Sequence, residues 1–355
     1  MEKTIYKKDS SGKVRYLTIS TEGATLTQKS GVIGTPNPIY NVSVSTPKNV
    51  GRANETSGEE QAVLEAESKL TLKLRQGYFD TEEQAKAEGG EDFILPMLAK
   101  DFKKESKKVK YPCFCQPKLD GMRALGERFQ FTSRTGKIVD TIKHINLERQ
   151  FTRGYILDGE LYAHGISFQE NMKLVKKYRK GETEKVKYHV YDLLKDAPFE
   201  ERYNTLVEIV KEINDPNVEI VPTYKIHSES ELINYHKMFI EQGYEGTIVR
   251  HSTTGYEMNK RSSQLLKYKD FIDATYPVVD VIPSDVRPEQ GILVCQDTIL
   301  GETFNTGMKF SHAQREEILL NKHKYIGQTA EIRFFEFTDK GIPRFPVCVG
   351  FRLDK

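Results

Sequence analysis

The stretch Gln116-Pro117-Lys118-Leu119-Asp120-Gly121-Met122-Arg123 leaves the apolar run YPCFCQP that begins at Tyr111, and its reading decides the fold. A strand with that composition is expected to be buried, so it delivers a lysine, an acid and a glycine together at the end of a buried strand. Lysine is a nucleophile only as the neutral amine, which requires its pKa to be lowered by nearby cations or desolvation. Glycine lets a backbone approach a ligand closely. The K-x-D-G pattern also occurs in surface turns, so by itself it does not decide between a site and a turn.

Seven further groups follow in order. Ser133-Arg134-Thr135-Gly136 offers a cation and hydroxyls in a turn. Asp158-Gly159-Glu160-Leu161-Tyr162 ends a strand with two acids around a glycine, and Tyr191-Asp192 lies in the strand-like HVYDLL. Glu245-Gly246-Thr247-Ile248-Val249-Arg250 opens a strand on a carboxylate. Lys267-Tyr268-Lys269 puts two lysines on one face of an extended segment, since alternate strand residues share a face. Arg344-Phe345-Pro346 and Arg352-Leu353-Asp354-Lys355 complete the set. Each group has an ordinary role open to it: the acids as turn caps, Tyr191 as core, Lys267 and Lys269 as edge-strand charges. The complete ordered set is not explained that way.

The wider pattern predicts an α+β chain of three parts. Over 1–90, Tyr16 to Ile19 and Ala24 to Gln28 read as short strands with Gly31, Gly34, Pro36 and Pro38 in the turns. A helix starts near Ser57-Gly58-Glu59, carries Val63, Ala66, Leu70 and Leu74 at helical spacing, and ends by Gly77. The polar segment 80–91 reads as a linker. From there to 270, YPCFCQP, YILDGEL, KYHVYDLL and GTIVR read as strands. Two helices, 201–214 and 229–242, each bear an apolar face, and His236 is read as core packing. In 271–355, TYPVVDVI, GILVCQD and TAEIRFFEF read as strands with one helix over 312–323, a length that suits a barrel of about five strands.

Composition limits the options. The chain has 355 residues, 37% hydrophobic and 29% charged, which suits two or three soluble domains. No apolar run approaches the roughly 18 residues of a membrane span, and the first residues lack the apolar core of a secretory leader. Those features lead to expectations of no membrane partner and a cytoplasmic location, the host's cytoplasm if the source is a virus. Cys113, Cys115, Cys295 and Cys348 lack zinc-site spacing and read as buried thiols. The net charge is only +2, but Lys100 to Lys110 and Lys173 to Lys187 hold two lysine-rich runs. Either alone reads as a solvated surface; two together fit a face that binds a polyanion.

The ordered set from K-L-D-G-M-R to the terminal R-L-D-K resembles the motifs of the covalent nucleotidyltransferases: ATP-dependent DNA ligases, RNA ligases and mRNA-capping enzymes. The likeness spans 93–355, and Arg-Phe-Pro shortly before Arg-x-Asp-Lys favours the DNA ligases. The resemblance implies a nucleotidyltransferase domain over 91–270, with antiparallel sheets and helices in an ATP-grasp-like arrangement, then an OB-fold barrel over 271–355. It implies that Lys118 accepts AMP, with Lys267 and Lys269 gripping the α-phosphate. Arg123 and Glu160 would hold the ribose, Tyr191 would stack on adenine, and Gln116 would join the nucleotide site. Glu245 and Glu160 would bind Mg²⁺ or Mn²⁺, and Arg344, Arg352 and Lys355 would orient pyrophosphate. Arg134 would contact a nucleotide or DNA phosphate, and Lys173, Lys176 and Lys177 would contact DNA. The implied reaction seals 5′-phosphate/3′-hydroxyl nicks in duplex DNA at the expense of ATP, and the expected enzyme is a monomer. The first 90 residues resemble the nick-recognising WGR domains through KNVGRANETSGEEQ, the helix after it and KLTLKLRQGY, although the chain has no tryptophan.

Other readings stay open. An RNA ligase or a capping enzyme would share most of these residues, the latter using GTP. A nucleic-acid-binding module without catalysis would account for the basic runs but not for Lys118, Glu160, Glu245 and Lys267. An NAD-dependent ligase is disfavoured by the cysteine spacing.

Overall fold

The computed structural model describes residues 1–9, 11–87, 94–127, 130–147, 152–251, 253–285 and 287–352. The chain forms two compact units, Ile94–Asp270 and a second built from Met1–Phe93 with Phe271–Lys355.

In the second unit the amino-terminal part is an antiparallel meander of β1 (Glu2–Lys8), β2 (Val14–Glu22), β3 (Thr25–Val32) and β4 (Ile39–Val44). Ile5, Leu17, Ile19 and Leu26 point to one face, and Ala66 of α1 (Gly58–Arg75) packs on them. Ser57 caps α1 in a reciprocal box with Glu60, an arrangement of about 1 kcal/mol. Two expectations need correcting. The buried side of α1 runs through Ala62 and Ala66, whereas Leu74 is exposed, because small residues let the helix sit close to the sheet. The supposed linker also contains a short helix, α2 (Glu82–Ala87).

The other unit, Ile94–Asp270, holds two sheets. Its elements in order are β5 (Leu98–Asp101), α3 (Phe102–Glu105), β6 (Cys113–Lys118), β7 (Met122–Glu127), β8 (Gln130–Ser133), β9 (Ile138–Val139) and β10 (Leu157–Tyr162). Then come α4 (Phe168–Lys176), β11 (Lys187–Leu193), α5 (Phe199–Ile213), β12 (Val218–Ile220), β13 (Tyr224–Ile226), α6 (Glu229–Glu241), β14 (Gly246–Arg250) and β15 (Arg261–Tyr268). One sheet runs β12-β11-β10-β7-β8-β9 and the other β13-β6-β14-β15-β5. Pairing is antiparallel except for β11 with β12 and β15 with β5. β6 is buried along almost its whole length, which is why CFCQP shows no alternation. α5 buries Leu206, Ile209 and Ile213 against the first sheet and stops at Asn214 in the left-handed region. α6 buries Leu232, His236 and Phe239, with Ser228 as its cap.

The carboxyl-terminal part holds β16 (Ile272–Pro283), β17 (Gly291–Gln296), β18 (Thr303–Met308), α7 (His312–Leu320), β19 (Thr329–Phe334), β20 (Glu336–Phe337), β21 (Pro343–Arg344) and β22 (Val347–Arg352). β16-β17-β18-β22-β19 close into a five-stranded barrel around Leu293, Cys295, Ile332 and Cys348. All four cysteines are free and buried. Among the described residues no helix is long and apolar enough to cross a membrane.

Candidate active site

A cleft of about 460 Å³ in the Ile94–Asp270 unit is lined from both sheets, including Lys118, Arg123, Arg134, Glu160, Tyr191, Lys267 and Lys269. The chain reaches it because β6 ends at Lys118, whose carbonyl accepts from the Glu245 amide at 3.0 Å and which faces Gly246 in register. Glu245, with a side chain only 4% exposed, pairs with both Lys118 and Lys269. Lys267 lies two residues before Lys269; burial lowers its pKa and the nearby Lys118 adds to that. Lys267 and Lys269 thus meet the same cleft, as their spacing predicts. Gly121 has a different reason from the one expected. A Cβ there would stand 2.5 Å from the Leu161 carbonyl, so the glycine lets two backbones meet.

The opposite wall carries the other predicted residues. Arg123 is fixed by a two-pronged bond to Asp158, at 2.9 and 2.6 Å, and Tyr256 donates to the same carboxylate at 2.6 Å. Glu160 faces Arg123 across β10 and β7. Burial pushes its carboxyl up to about 7, against the pull of Lys118 and Arg123 and with a push from Asp158. The Tyr191 hydroxyl donates to Gly159 O at 3.2 Å and to Glu160 at 3.3 Å. The guanidinium carbons of Arg250 and Arg123 lie 5.3 and 5.7 Å from its ring centre.

Beneath this wall is a buried polar lattice that the sequence did not announce. Asp192 accepts from Arg202 at 2.7 and 3.0 Å and from Arg250 at 2.6 Å, all three groups being buried. Gln116 is 1% exposed; its amide donates to Tyr191 O and Thr223 Oγ1 and accepts from Arg250 at 2.6 Å. Its polar atoms therefore brace the wall from inside the protein. Removing one partner of such a buried charge cluster costs on the order of 3–5 kcal/mol. Asp192 and Arg250 stood inside quoted motifs without a role, and Tyr256 carried no sequence signal at all.

The remaining predicted residues lie elsewhere. Lys173 pairs with Glu170 at 2.8 Å on the exposed side of α4, and Lys176 and Lys177 are exposed. Phe168 and Met172 of the same helix face the cleft instead. In the barrel, Arg344 is buried and pairs with Glu336, and Arg352 approaches Glu331 at 3.6 Å. Lys355 lies outside the described residues.

A magnesium-sized ion wants octahedral oxygen and usually takes one or two carboxylates plus phosphate and water. Among the described residues no three metal-ligating side chains converge. Glu245 and Glu160 are hard oxygen donors near Lys118, so the donor set fits an ion shared with a nucleotide phosphate and not an all-protein cage.

The family described as the ATP dependent DNA ligase domain matches residues 96–269, and the DNA ligase OB-like domain matches 289–352. A DNA ligase of African swine fever virus is 27% identical over 347 residues, covering 87% of this chain and 79% of that protein. A DNA ligase of Methanosphaera stadtmanae is 30% identical over 210 residues, covering 50% of this chain and 36% of that one. A solved structure of Lig E DNA ligases, described as binding DNA with a minimal scaffold, superposes with a TM-score of 0.62 at 22% identity. It covers 73% of this chain and 99% of its own, a likeness of fold.

Proposed function

We infer the chemistry of this site from one premise: the chain belongs to the ATP-dependent DNA ligases, within the covalent nucleotidyltransferase superfamily. It joins nicks in duplex DNA at the expense of ATP, by the family's lysyl-AMP route. The observation that supports a residue-level reading is the meeting of Lys118, Lys267 and Lys269 at one cleft, with the buried Glu245 paired to Lys118 and Lys269.

On that reading the Lys118 amine attacks the α-phosphorus of ATP; an N–P bond forms, the bond to pyrophosphate breaks, and the amine's proton passes to solvent. Attack needs the neutral amine, so the Lys118–Glu245 pair opens first. Lys267 and Lys269 set positive charge against the equatorial oxygens, where phosphoryl transfer needs it. Arg123, held by Asp158, and Glu160 bind the ribose, while Tyr191 and Gln116 form the adenine wall. Glu245 and Glu160 would hold Mg²⁺ or Mn²⁺, which when bound would supply further positive charge at the phosphate. Arg344, Arg352 and Lys355 orient the leaving pyrophosphate. AMP then passes to the 5′-phosphate of a nick, and the 3′-hydroxyl displaces it. The sequence logic is activation: a phosphate monoester has no leaving group until AMP supplies one.

Three domains are proposed, at 1–90, 91–270 and 271–355, with the first a WGR-like grip on duplex flanking the nick. Arg134, Lys173, Lys176 and Lys177 are assigned to DNA phosphate, and the enzyme to a monomer of the cytoplasm, or of a host's cytoplasm. The test is a chase. Protein treated with α-labelled ATP and Mg²⁺ should take up label, α-labelled GTP should give none, and added nicked duplex should receive the label and then release it as AMP on sealing. Label from GTP, or label that never reaches DNA, would overturn the reading.

A further inference from the structure

His236 sits on α6 between Leu232 and Phe239, a buried position where an apolar residue would fill the core equally well. It is 3% exposed, yet both ring nitrogens are engaged: Nδ1 lies 2.9 Å from Thr247 Oγ1 and Nε2 2.9 Å from Asp270 Oδ2. A carboxylate only accepts, so Nε2 carries the proton and donates to Asp270. Nδ1 bonds the Thr247 hydroxyl, which can either donate or accept. The ring also lies nearly flat on Tyr268, with centroids 4.1 Å apart and planes 18° from parallel.

These three partners are chain neighbours of the charges in the cleft. Thr247 follows Glu245 by two residues, Tyr268 stands between Lys267 and Lys269, and Asp270 follows Lys269. Thr247 and Tyr268 also face each other in the register of β14 and β15. One imidazole therefore ties together the two strand ends whose side chains meet as the Glu245–Lys269 pair.

We propose that His236 is a positioning residue for adenylyl transfer, fixing Glu245 relative to Lys267 and Lys269 without touching substrate. The proposal rests on the roles given above to those residues and to Lys118. Burying an imidazole is costly unless both nitrogens are satisfied, so a core role alone gives no reason for it here. The Asp270 side chain is 64% exposed, so its bond to His236 adds little to stability and chiefly fixes the chain after Lys269. Small errors in placing reacting groups are enough to slow a transfer by orders of magnitude.

The experiment measures the rate of enzyme–AMP formation at saturating ATP, the KM for ATP, and the melting temperature of the full chain. Wild type and Lys118→Ala run alongside His236→Phe, His236→Gln and Asp270→Ala. His236→Phe should keep the stack and slow the adduct about tenfold or more, with KM held within about twofold. Asp270→Ala, a change at an exposed carboxylate, should slow it by less with an unchanged melting temperature. His236→Gln restores the donor to Asp270 and should recover most of the rate. Wild-type rates in both His236→Phe and Asp270→Ala would overturn the proposal. So would a loss in His236→Phe that tracks its melting temperature and is not recovered in His236→Gln. An unlabelled wild type, or a labelled Lys118→Ala, would instead defeat the reading of the site itself.

Discussion

Glu160 faces a protonation choice at neutral pH. Its folded pKa of about 7 lies above the ordinary 4.5, burial being the main cause, so folding takes up a proton across that interval. The group's contribution to stability is complete below 4.5 and is lost as pH rises through about 7. The proposed ribose contact runs the other way, since the accepting carboxylate fills above that value. The KM for ATP in adduct formation should fall between about pH 6 and pH 8, and Glu160→Gln should raise it and flatten that limb. Relative to Glu160→Gln, the wild type should lose melting temperature as pH rises from about 4.5 to about 7. A limb that survives in Glu160→Gln would put the titrating group elsewhere. At this scale the sequence exposed the residues that face the cleft and hid those behind them. Lys118, Glu160, Glu245 and Lys267 stand in the quoted motifs. Tyr256 reaches Asp158 across 98 residues of chain, and only the fold brings such partners together.

Among the elements, β14 depends most on a single residue. Gly246 has φ 154°, and a Cβ there would stand 2.4 Å from the Tyr268 carbonyl. Gly246→Ala should therefore cost about 1–3 kcal/mol and push β14 away from β15, parting Glu245 from Lys269. Melting temperature and adduct rate should fall together; an unchanged melting temperature would show that the strands have room. The legibility of elements follows burial. A strand covered on both faces, such as β6, appears as an apolar run, and α5 as a clean stripe, whereas α6 buries Leu232, His236 and Phe239 but leaves Ile233 and Ile240 of its expected apolar face exposed. β1, reading EKTIYKK, buries Ile5 alone and so looks like a charged tail. β18 alternates perfectly, but its buried positions are Phe304, Thr306 and Met308, and the threonine breaks the apolar count. The five-stranded barrel was legible from length and three strong strands; its closing strand β22 was not, because Gly350 and Arg352 dilute it.

For the whole molecule, the first 93 residues cluster with the barrel, and Lys48 pairs with Asp285 at 2.8 Å. Both side chains are well exposed, so that bond is worth no more than about 1 kcal/mol. A chain starting at Ile94 should therefore still form enzyme–AMP, since none of the cleft residues is lost. Its affinity for nicked duplex should drop, and the dependence of that affinity on salt should flatten as phosphate contacts are lost. An unchanged affinity and slope would leave the module without a role in holding DNA. The account as a whole stands on Lys118 as the carrier of AMP, and peptide mapping by mass spectrometry after incubation with ATP and Mg²⁺ tests that directly. The expected result is one adenylate, on the peptide containing Lys118, absent from a folded Lys118→Ala protein. AMP on another residue, or Lys118→Ala modified at the wild-type rate, would contradict it.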